Sequence, residues 1–410
     1  MSHRDPIPTS DHPRVSRSRI WWGVAGLLIA GRIAVVPITL DQKAAHGKYT
    51  VLTGDLHRFY KIANDRGTPY RNFEVEYPPL MYGAIKVLGS STINRAISAT
   101  MWTQLLLDLA VAALLAWGWG RRAAVAYLIL GVPFLFYPFL YLRLDLLSVA
   151  LAVAGLALVR HRRPALGGTA LALACFAKVW PVLLLPSLLI RRSWRALAAC
   201  LGLGVVGVAA WVAWAGPNGL TQVLSMRGAT GWEIESTVGG LVRTLGHDPV
   251  HLQRGAWRVG TAPTWAFVAL GALCLVSVVT VWVLAARRRP HGAVVLDGYA
   301  AVGAIGAFLL CSPLLSPQFI IWLLPFAAIV AARRDRLVGG LVIVIAALSV
   351  LNFNLVVELV RTNDAIPQGI VLVRNGLLVA LVAVCVHRLW AGAHQSALDV
   401  AAPEQVEAAA

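Results

Sequence analysis

Charged residues are scarce in this chain, which excludes an ordinary soluble fold. They make up 13% of the 410 residues, whereas 58% are hydrophobic and the mean hydropathy is +0.70. Soluble domains carry about a quarter charged residues. Apolar runs of about 20 residues recur along the chain, and this is the length with which an α-helix crosses a membrane. The sequence therefore predicts an all-α, polytopic integral membrane protein.

Cysteine is also rare, and its placement argues against disulfides and metal sites. The five cysteines lie within apolar runs without CxxC spacing, so we expect small buried side chains. His247 and His251 are four residues apart, but Pro249 between them breaks the helical spacing of a zinc site. We expect no metal and no cofactor. A GxxxxGK[ST] phosphate loop is missing as well, which argues against nucleotide-driven pumping.

Basic residues outnumber acidic ones by 36 to 19, but they do not form the continuous face of a nucleic-acid-binding protein. They form short clusters between apolar runs, at residues 14–19, 121–122, 160–163, 191–195, 287–289 and 333–336. By the positive-inside rule these clusters face the cytoplasm. We therefore expect a multi-pass protein with both termini cytoplasmic, as in a bacterial plasma membrane.

About ten full transmembrane helices follow from this orientation. They are expected at residues 20–40, 97–119, 123–141, 143–159, 196–215, 264–286, 292–311, 317–332, 337–358 and 369–389. The apolar segment 165–190 does not fit, because a single crossing would place one arginine cluster outside. We expect a re-entrant helical hairpin there, with Lys178 near its tip, next to a cavity that satisfies its irregular backbone.

The chain is expected to form one transmembrane domain over residues 20–390. Residues 1–19 are predicted to be a cytoplasmic tail, and residues 391–410 a disordered cytoplasmic tail. Two outer loops, 41–96 and 216–263, are long enough to build a site. Chemistry is therefore expected on the extracytoplasmic side.

The first outer loop is rich in polar side chains for so apolar a chain. It reads GDLHRFY from Gly54, GTPY from Gly67 and EVEYPPL from Glu74. A carboxylate held over a substrate hydroxyl in such a loop could act as a general base. The alternative is that these acids only balance the lysines and arginines of the same loop.

Three charged residues near or inside apolar runs are candidates for a site, because charge in hydrocarbon is costly. Arg143 and Asp145 lie at the outer end of the fourth span, where they either mark a site or form a local ion pair. Lys178 has no acid near it in sequence, so an anionic lipid phosphate is a natural partner, and snorkelling to the surface is the alternative. Gln318 follows two Ser-Pro steps and is expected to face the outer cavity.

Taken in order, these motifs resemble a known family. GDLHRFY, GTPY, EVEYPPL, RLDLL, ALACFAKVWPVLLLP with RRSWR, and SPLLSPQFIIWLLP are similar to those of the actinobacterial alpha-1,2-mannosyltransferases that use polyprenol-phosphate-mannose. These enzymes belong to the C superfamily of glycosyltransferases. The resemblance covers about residues 50 to 330.

The resemblance implies an inverting membrane glycosyltransferase that works on the outer face. It implies transfer of a sugar, mannose by default, from a polyprenyl phosphate to a lipid-linked or cell-envelope glycan acceptor. Asp55 best matches the family's catalytic base, with Asp41 as the competitor. Lys178 and Arg143 are then expected to stabilise the leaving phosphate, and Gln318 or Tyr77 to contact sugar or phosphate. The expected substrate-binding set is completed by Asp145, Glu76, Tyr70 and His57.

Two other functions fit the same residues. A transporter or flippase of a lipid-linked sugar would also use an outer cavity with Arg and Lys, and it would move its substrate without forming a glycosidic bond. A non-catalytic scaffold of a cell-envelope complex would tolerate loss of every loop carboxylate. No convincing internal repeat is present, which weakens the transporter interpretation.

Overall fold

The computed structural model describes residues 17–46, 54–89, 92–136, 140–225, 228–246, 248–288, 291–362 and 365–407. Most of these residues are helical, which confirms the all-α class. The α-helices are α1 (Arg17–His46), α2 (Gly54–Asn64), α3 (Pro79–Leu88), α4 (Ile93–Trp119), α5 (Arg121–Leu130), α6 (Asp145–Arg160), α7 (Pro164–Ala177), α8 (Pro186–Ile190), α9 (Trp194–Ala215), α10 (Asn218–Leu224), α11 (Thr237–Leu245), α12 (Thr264–Arg287), α13 (Ala301–Cys311), α14 (Leu324–Ala331), α15 (Arg336–Thr362) and α16 (Ala365–Glu407).

Seven helical segments in the described part of the chain are long and apolar enough to cross a membrane. They are Trp22–Asp41, Ile93–Trp119, Trp194–Ala215, Thr264–Arg287, Val294–Cys311, Arg336–Phe353 and Ala365–Gly392. The fold is therefore a polytopic membrane protein.

The other three predicted spans are built from shorter pieces. Segment 123–141 begins as α5 and continues as a 3-10 turn containing Pro133, segment 143–159 is the 16-residue α6, and segment 317–332 is a 3-10 turn followed by α14. Proline has no backbone N–H and clashes with the preceding turn, so Pro133, Pro317 and Pro325 fall where one helix stops or another starts.

Segment 164–190 has the form of the predicted hairpin. α7 ends at Ala177, the next residue Lys178 is extended with a φ of −157°, and the chain returns through a 3-10 turn and α8. Arg160 and Arg191, at the two ends of this segment, line the same cavity. The chain therefore starts and finishes the hairpin on one face of the protein.

The two faces of the protein are defined by α6. Asp145 begins the helix and Arg160 ends it, about 22 Å further along its axis at 1.5 Å per residue. We call the end with Arg160 the basic face and the end with Asp145 the opposite face. Lys178 lies 14 residues after Pro164, about 21 Å away along α7, and so reaches the opposite face.

Small residues allow α6, α7 and α9 to pack closely. A Cβ atom built on Gly168 of α7 would lie 1.9 Å from the carbonyl oxygen of Ala196 in α9. Gly155 and Gly167 touch backbone to backbone in the same way between α6 and α7. Close approach through small residues is a usual way for membrane helices to associate. This packing holds the hairpin against α6.

A buried ion pair fixes α1 in the helix bundle. Arg32 and Asp108 are fully buried, and their Nε and Oδ2 atoms are 2.8 Å apart. The hydroxyls of Tyr127 and Tyr141 donate to the two oxygens of Asp108 at 2.6 Å and 2.9 Å. Because each charge has several partners, burial in the apolar interior is tolerated.

The second outer loop contains the strands found in the described residues. β1 (Trp232–Glu233), β2 (Val250–Gln253) and β3 (Ala256–Val259) form an antiparallel sheet in the order β1-β3-β2. Val259 of the central strand β3 lies opposite Trp232 of β1 on one side and Val250 of β2 on the other. The sheet packs beside α11.

The two predicted tails are described only in part. Residues 1–16 of the predicted 1–19 tail lie outside the described residues. The backbone of residues 391–407 continues α16 as a helix, although the sequence predicts a disordered tail. The alanine-rich composition of this segment explains the difference, because alanine has the highest intrinsic helix propensity.

Candidate active site

Asp55 and Arg143 form the centre of the candidate site. Asp55 lies in the first turn of α2, which buries one apolar side and leaves this carboxylate on its edge. Its Oδ2 is 3.1 Å from Nε of Arg143, in the irregular segment just before α6. The side chain of Arg143 is 7% exposed and that of Asp55 is 31% exposed. The predicted base thus lies within reach of solvent beside a buried cation.

Asp145 and Lys178 form a second pair beside the first. Nζ of Lys178 donates to Oδ1 of Asp145 at 2.5 Å, and Asp145 is almost completely buried. Close packing of α6 and α7 brings this carboxylate to Lys178 from 33 residues earlier in the chain, while contact of Lys178 with a lipid phosphate stays a prediction. The pairing replaces the local Arg143–Asp145 ion pair, since Asp145 is bonded to Lys178 and Trp322.

The two pairs are neighbours because Arg143 and Asp145 are two residues apart in the chain. Gln318 contacts the first pair, since its Oε1 accepts from Nε of Arg143 at 3.4 Å and from Oγ of Ser316 at 2.6 Å. A 3-10 turn that starts at Pro317 aims Gln318 at the site. Five residues predicted from the sequence therefore meet at the opposite face: Asp55, Arg143, Asp145, Lys178 and Gln318.

Aromatic rings form one wall of the site. Nζ of Lys178 lies 4.7 Å from the centre of the Phe319 ring and 5.0 Å from that of Trp322. Nε1 of Trp322 donates to Oδ1 of Asp145 at 2.7 Å, and its ring stacks on Trp180 at 5.3 Å. Ring faces attract a cation most strongly where water is excluded. The wall therefore holds the Lys178 ammonium in place.

Glu76 and Tyr77 lie next to Asp55. Glu76 forms an ion pair with Arg58 of α2. Burial raises the pKa of the Tyr77 phenol well above 10, and the nearby carboxylates of Glu76, Asp55 and Asp145 raise it further. The phenol is therefore protonated at neutral pH and available as a hydrogen-bond donor.

Tyr70 and His57 are placed differently from Tyr77. Tyr70 is buried in the left-handed region, with a φ of 66°, and its hydroxyl donates to the carbonyl oxygen of Tyr77 at 2.5 Å. Tyr70 therefore positions the Tyr77 backbone, and its hydroxyl proton is already used in this hydrogen bond. His57 is exposed and lies two residues after Asp55 on α2, so it points to another side of the helix. Asp41 is exposed on α1, whereas Asp55 reaches Arg143.

Glu233 connects the second outer loop to the turn that precedes Gln318. The backbone N–H of Glu233 donates to the carbonyl oxygen of Pro313, and Oε2 of Glu233 accepts from the N–H of Leu315 at 3.3 Å. Burial, together with the nearby charge of Glu235, raises the pKa of the Glu233 carboxyl to about 8. These bonds hold the Ser312–Gln318 turn from outside the bundle.

Other polar residues of the second outer loop lie away from Asp55 or outside the described residues. Glu235 is buried and accepts a hydrogen bond from Asn352, while Arg374 of α16 lies against it. His251 is exposed in β2. Arg227 and His247 lie outside the described residues.

Sequence reasoning missed Trp322, Phe319 and Arg58 as parts of the site. Trp322 and Phe319 carried a signal, because they follow Gln318 at spacings of four and one within the same turn. The contact of Glu233 with the N–H of Leu315 carried no signal, since the two residues are 82 positions apart.

Comparison with known proteins matches the chain to one protein family. A family model described as glycosyltransferase family 87 matches residues 76–317. This range covers more than half of the chain and includes Glu76, Arg143, Asp145 and Lys178, while Gln318 lies just after its end and Asp55 lies well before its start. None of the curated proteins compared with the chain matches it.

Proposed function

The chain belongs to glycosyltransferase family 87, and on this premise we propose that it transfers a sugar from a polyprenyl-phosphate donor with Asp55 as the general base. The observation that carries the proposal is the 3.1 Å pair between Asp55 and Arg143 beside the Asp145–Lys178 pair. A base for an acceptor hydroxyl and two cations for a leaving phosphate are the groups that such a transfer needs.

In the proposed reaction, the acceptor hydroxyl attacks the anomeric carbon of the donor sugar. Its proton moves to the carboxylate of Asp55 as the new carbon–oxygen bond forms. The bond between the anomeric carbon and the phosphate oxygen breaks on the other side, so the configuration inverts. Polyprenyl phosphate leaves with the electron pair of the broken bond.

Arg143 and Lys178 then have a second role. Each cation is paired with a carboxylate in the resting site, so a donor phosphate competes with Asp55 for Arg143. We propose that binding of the phosphate draws Arg143 away and frees Asp55 to accept a proton. Gln318 either moves together with Arg143 or holds the Arg143 side chain in position. Tyr77 donates a hydrogen bond to the sugar or the phosphate.

The donor sugar in this proposal is mannose, and the acceptor is a lipid-linked or cell-envelope glycan. The motifs from GDLHRFY to SPLLSPQFIIWLLP support this choice through their resemblance to mannosyltransferases. The positions of the arginine clusters support a plasma-membrane protein with the site on the extracytoplasmic side. Asp145, Glu76, Tyr70 and His57 complete the proposed substrate-binding set, with Tyr70 acting through Tyr77.

The test is transfer of radiolabelled sugar by purified protein in detergent from a panel of polyprenyl-phosphate donors. The proposal expects product from polyprenyl-phosphate-mannose and an anomeric configuration opposite to that of the donor. Product from polyprenyl-phosphate-arabinose alone would change the sugar and leave the class intact.

Inactivity with every lipid donor would contradict the proposed reaction. In that case, movement of an intact lipid-linked sugar between leaflets of proteoliposomes would indicate a flippase. Product with retained configuration would remove the single-displacement mechanism, and with it the base role of Asp55.

A further inference from the structure

A cavity of about 740 Å³ lies on the basic face, far from Asp55. The two ends of the hairpin, the end of α6 and the start of α9 surround it. Its lining includes Arg160, Arg191, Arg192, Arg195 and Trp194. The volume is in the range of pockets that bind small ligands. The proposed sugar transfer does not use this cavity.

The cavity carries an excess of positive charge. Arg191 is neutralised, since its NH2 is 2.6 Å from Oδ1 of the buried Asp297. Within the described part of the chain, no carboxylate lies within ion-pair distance of Arg160, Arg192 or Arg195. Three arginines that line one cavity therefore have no carboxylate partner among the described residues.

Two helices also start at this cavity. Pro164 begins the 14-residue α7 and Trp194 begins the 22-residue α9, and both residues line the cavity. Neither helix has a side-chain hydrogen bond at its N-cap. The first N–H groups of a helix and its dipole favour an anion, so the two starts add to the attraction of the arginines.

The surroundings favour an anion that carries an apolar part. Trp194 is exposed beside the arginines, and α9 continues from it with exposed Leu201, Val205 and Val206. An exposed aliphatic face on a membrane-spanning helix contacts acyl chains, and tryptophan prefers the interface. A headgroup in the cavity would thus have its tails along α9. Basic pockets between helices are known to bind anionic headgroups.

We propose that this cavity binds the phosphate of an anionic phospholipid, with Arg160, Arg192 and Arg195 and the starts of α7 and α9 as its ligands. Binding there clamps the two ends of the hairpin that carries Lys178 at its tip. This inference does not depend on the reaction proposed at Asp55.

Arg192 offers a variant that removes charge without disturbing the backbone. Its φ is 53°, a left-handed conformation that glycine adopts at lower cost, so Arg192→Gly is expected to fold. Arg334 provides the matched control, since it has a φ of 72° in the turn before α15 and does not line the cavity. Arg195→Gln removes a second charge at the start of α9.

The experiment titrates the detergent-purified full chain with phosphatidylglycerol, phosphatidylcholine or inorganic phosphate and follows bound lipid by native mass spectrometry and thermal midpoint. Wild type is expected to bind phosphatidylglycerol about tenfold more tightly than phosphatidylcholine. Arg192→Gly and Arg195→Gln are each expected to weaken phosphatidylglycerol binding about fivefold, and Arg334→Gly to leave it unchanged.

Three results would overturn the proposal. Equal binding of the two lipids would remove the anionic site. Equal loss in Arg192→Gly and Arg334→Gly would assign the effect to general surface charge. Displacement of phosphatidylglycerol by inorganic phosphate at similar concentration would assign the cavity to a soluble phosphate instead of a lipid.

Discussion

Asp145 shows how single residues at this site serve both stability and chemistry. Its buried carboxylate is held by Nζ of Lys178 and Nε1 of Trp322 on the same oxygen. A buried carboxylate that loses its cation keeps the cost of desolvation without the compensating attraction. The pair is therefore a structural element as well as a candidate phosphate site.

Lys178→Ala is expected to destabilise the protein by about 2 to 3 kcal/mol, because Asp145 is left buried without its cation. The double variant Lys178→Met with Asp145→Leu is expected to recover most of this loss, since it removes both charges, but not sugar transfer. Denaturation in detergent and transfer assays measure the two properties. Full recovery of transfer in the double variant would show that Lys178 has a structural role alone.

Glu233 predicts a pH dependence of stability. Its pKa is raised to about 8 by burial, so between about pH 4.5 and 8 the folded state holds a proton that the unfolded state has lost. Stability therefore falls as the pH rises through this range, by at most about 1.4 kcal/mol per pH unit.

Glu233→Gln is expected to flatten this slope in thermal unfolding from pH 5 to 9. Glu74→Gln is the matched control, because Glu74 is an exposed acid whose partner Arg254 is also exposed. An unchanged slope in Glu233→Gln would show that the Glu233 carboxyl does not carry the effect.

At residue level the sequence predicts which side chains are costly in a membrane, but it does not predict which of them form ion pairs with one another. Arg143, Asp145, Lys178 and Gln318 stand out because charge and amide groups are rare in apolar runs. The pairing of Lys178 with Asp145 depends on how α6 packs on α7, which no local pattern encodes. Asp55 remains a prediction as the base.

The hairpin shows what can be predicted at the level of elements. Two arginine clusters flanking an apolar segment with Lys178 predict a return to the same face, because a full crossing would separate the clusters. Hydropathy does not register backbone breaks, so the shorter pieces at 123–141 and 317–332 were not predicted. The small sheet of the second outer loop was also missed, since its strands have two to four residues.

Close packing of α7 on α9 makes Gly168 intolerant of a side chain. Gly168→Ala would push a Cβ into the backbone of Ala196, so we expect a loss of about 1 to 3 kcal/mol and weaker sugar transfer. Gly202→Ala on α9 meets nothing within 4 Å and is expected to be neutral or stabilising by about 0.5 kcal/mol. Equal effects of the two changes on the thermal midpoint would contradict the packing described for α7.

The molecule as a whole separates its charges between two faces. Arginine clusters gather on the basic face, whereas the mixed acid–base cluster around Asp55 and Arg143 lies on the opposite face. Helices with apolar exteriors join the two faces. This division was predictable from the sequence, since it depends on the order of charged and apolar segments and not on packing detail.

Cysteine labelling in sealed vesicles tests this division. Single cysteines at Arg162 and Arg192, in a chain without its five native cysteines, are expected to react with an impermeant reagent from the same side. A cysteine at Glu74 is expected to react from the other side. Labelling of 162 and 192 from different sides would mean that segment 164–190 crosses the membrane.

The role of Asp55 as the base is tested by comparing initial rates of sugar transfer from polyprenyl-phosphate-mannose for wild type, Asp55→Asn and Glu74→Gln. Asp55→Asn keeps the size of the side chain and removes the base, so the account predicts a rate loss of about 10² to 10⁴-fold with unchanged folding. Glu74→Gln, an acid of the same loop, is predicted to keep the wild-type rate. Near-normal transfer by Asp55→Asn would contradict the account, because no proton acceptor would then be assigned to the acceptor hydroxyl.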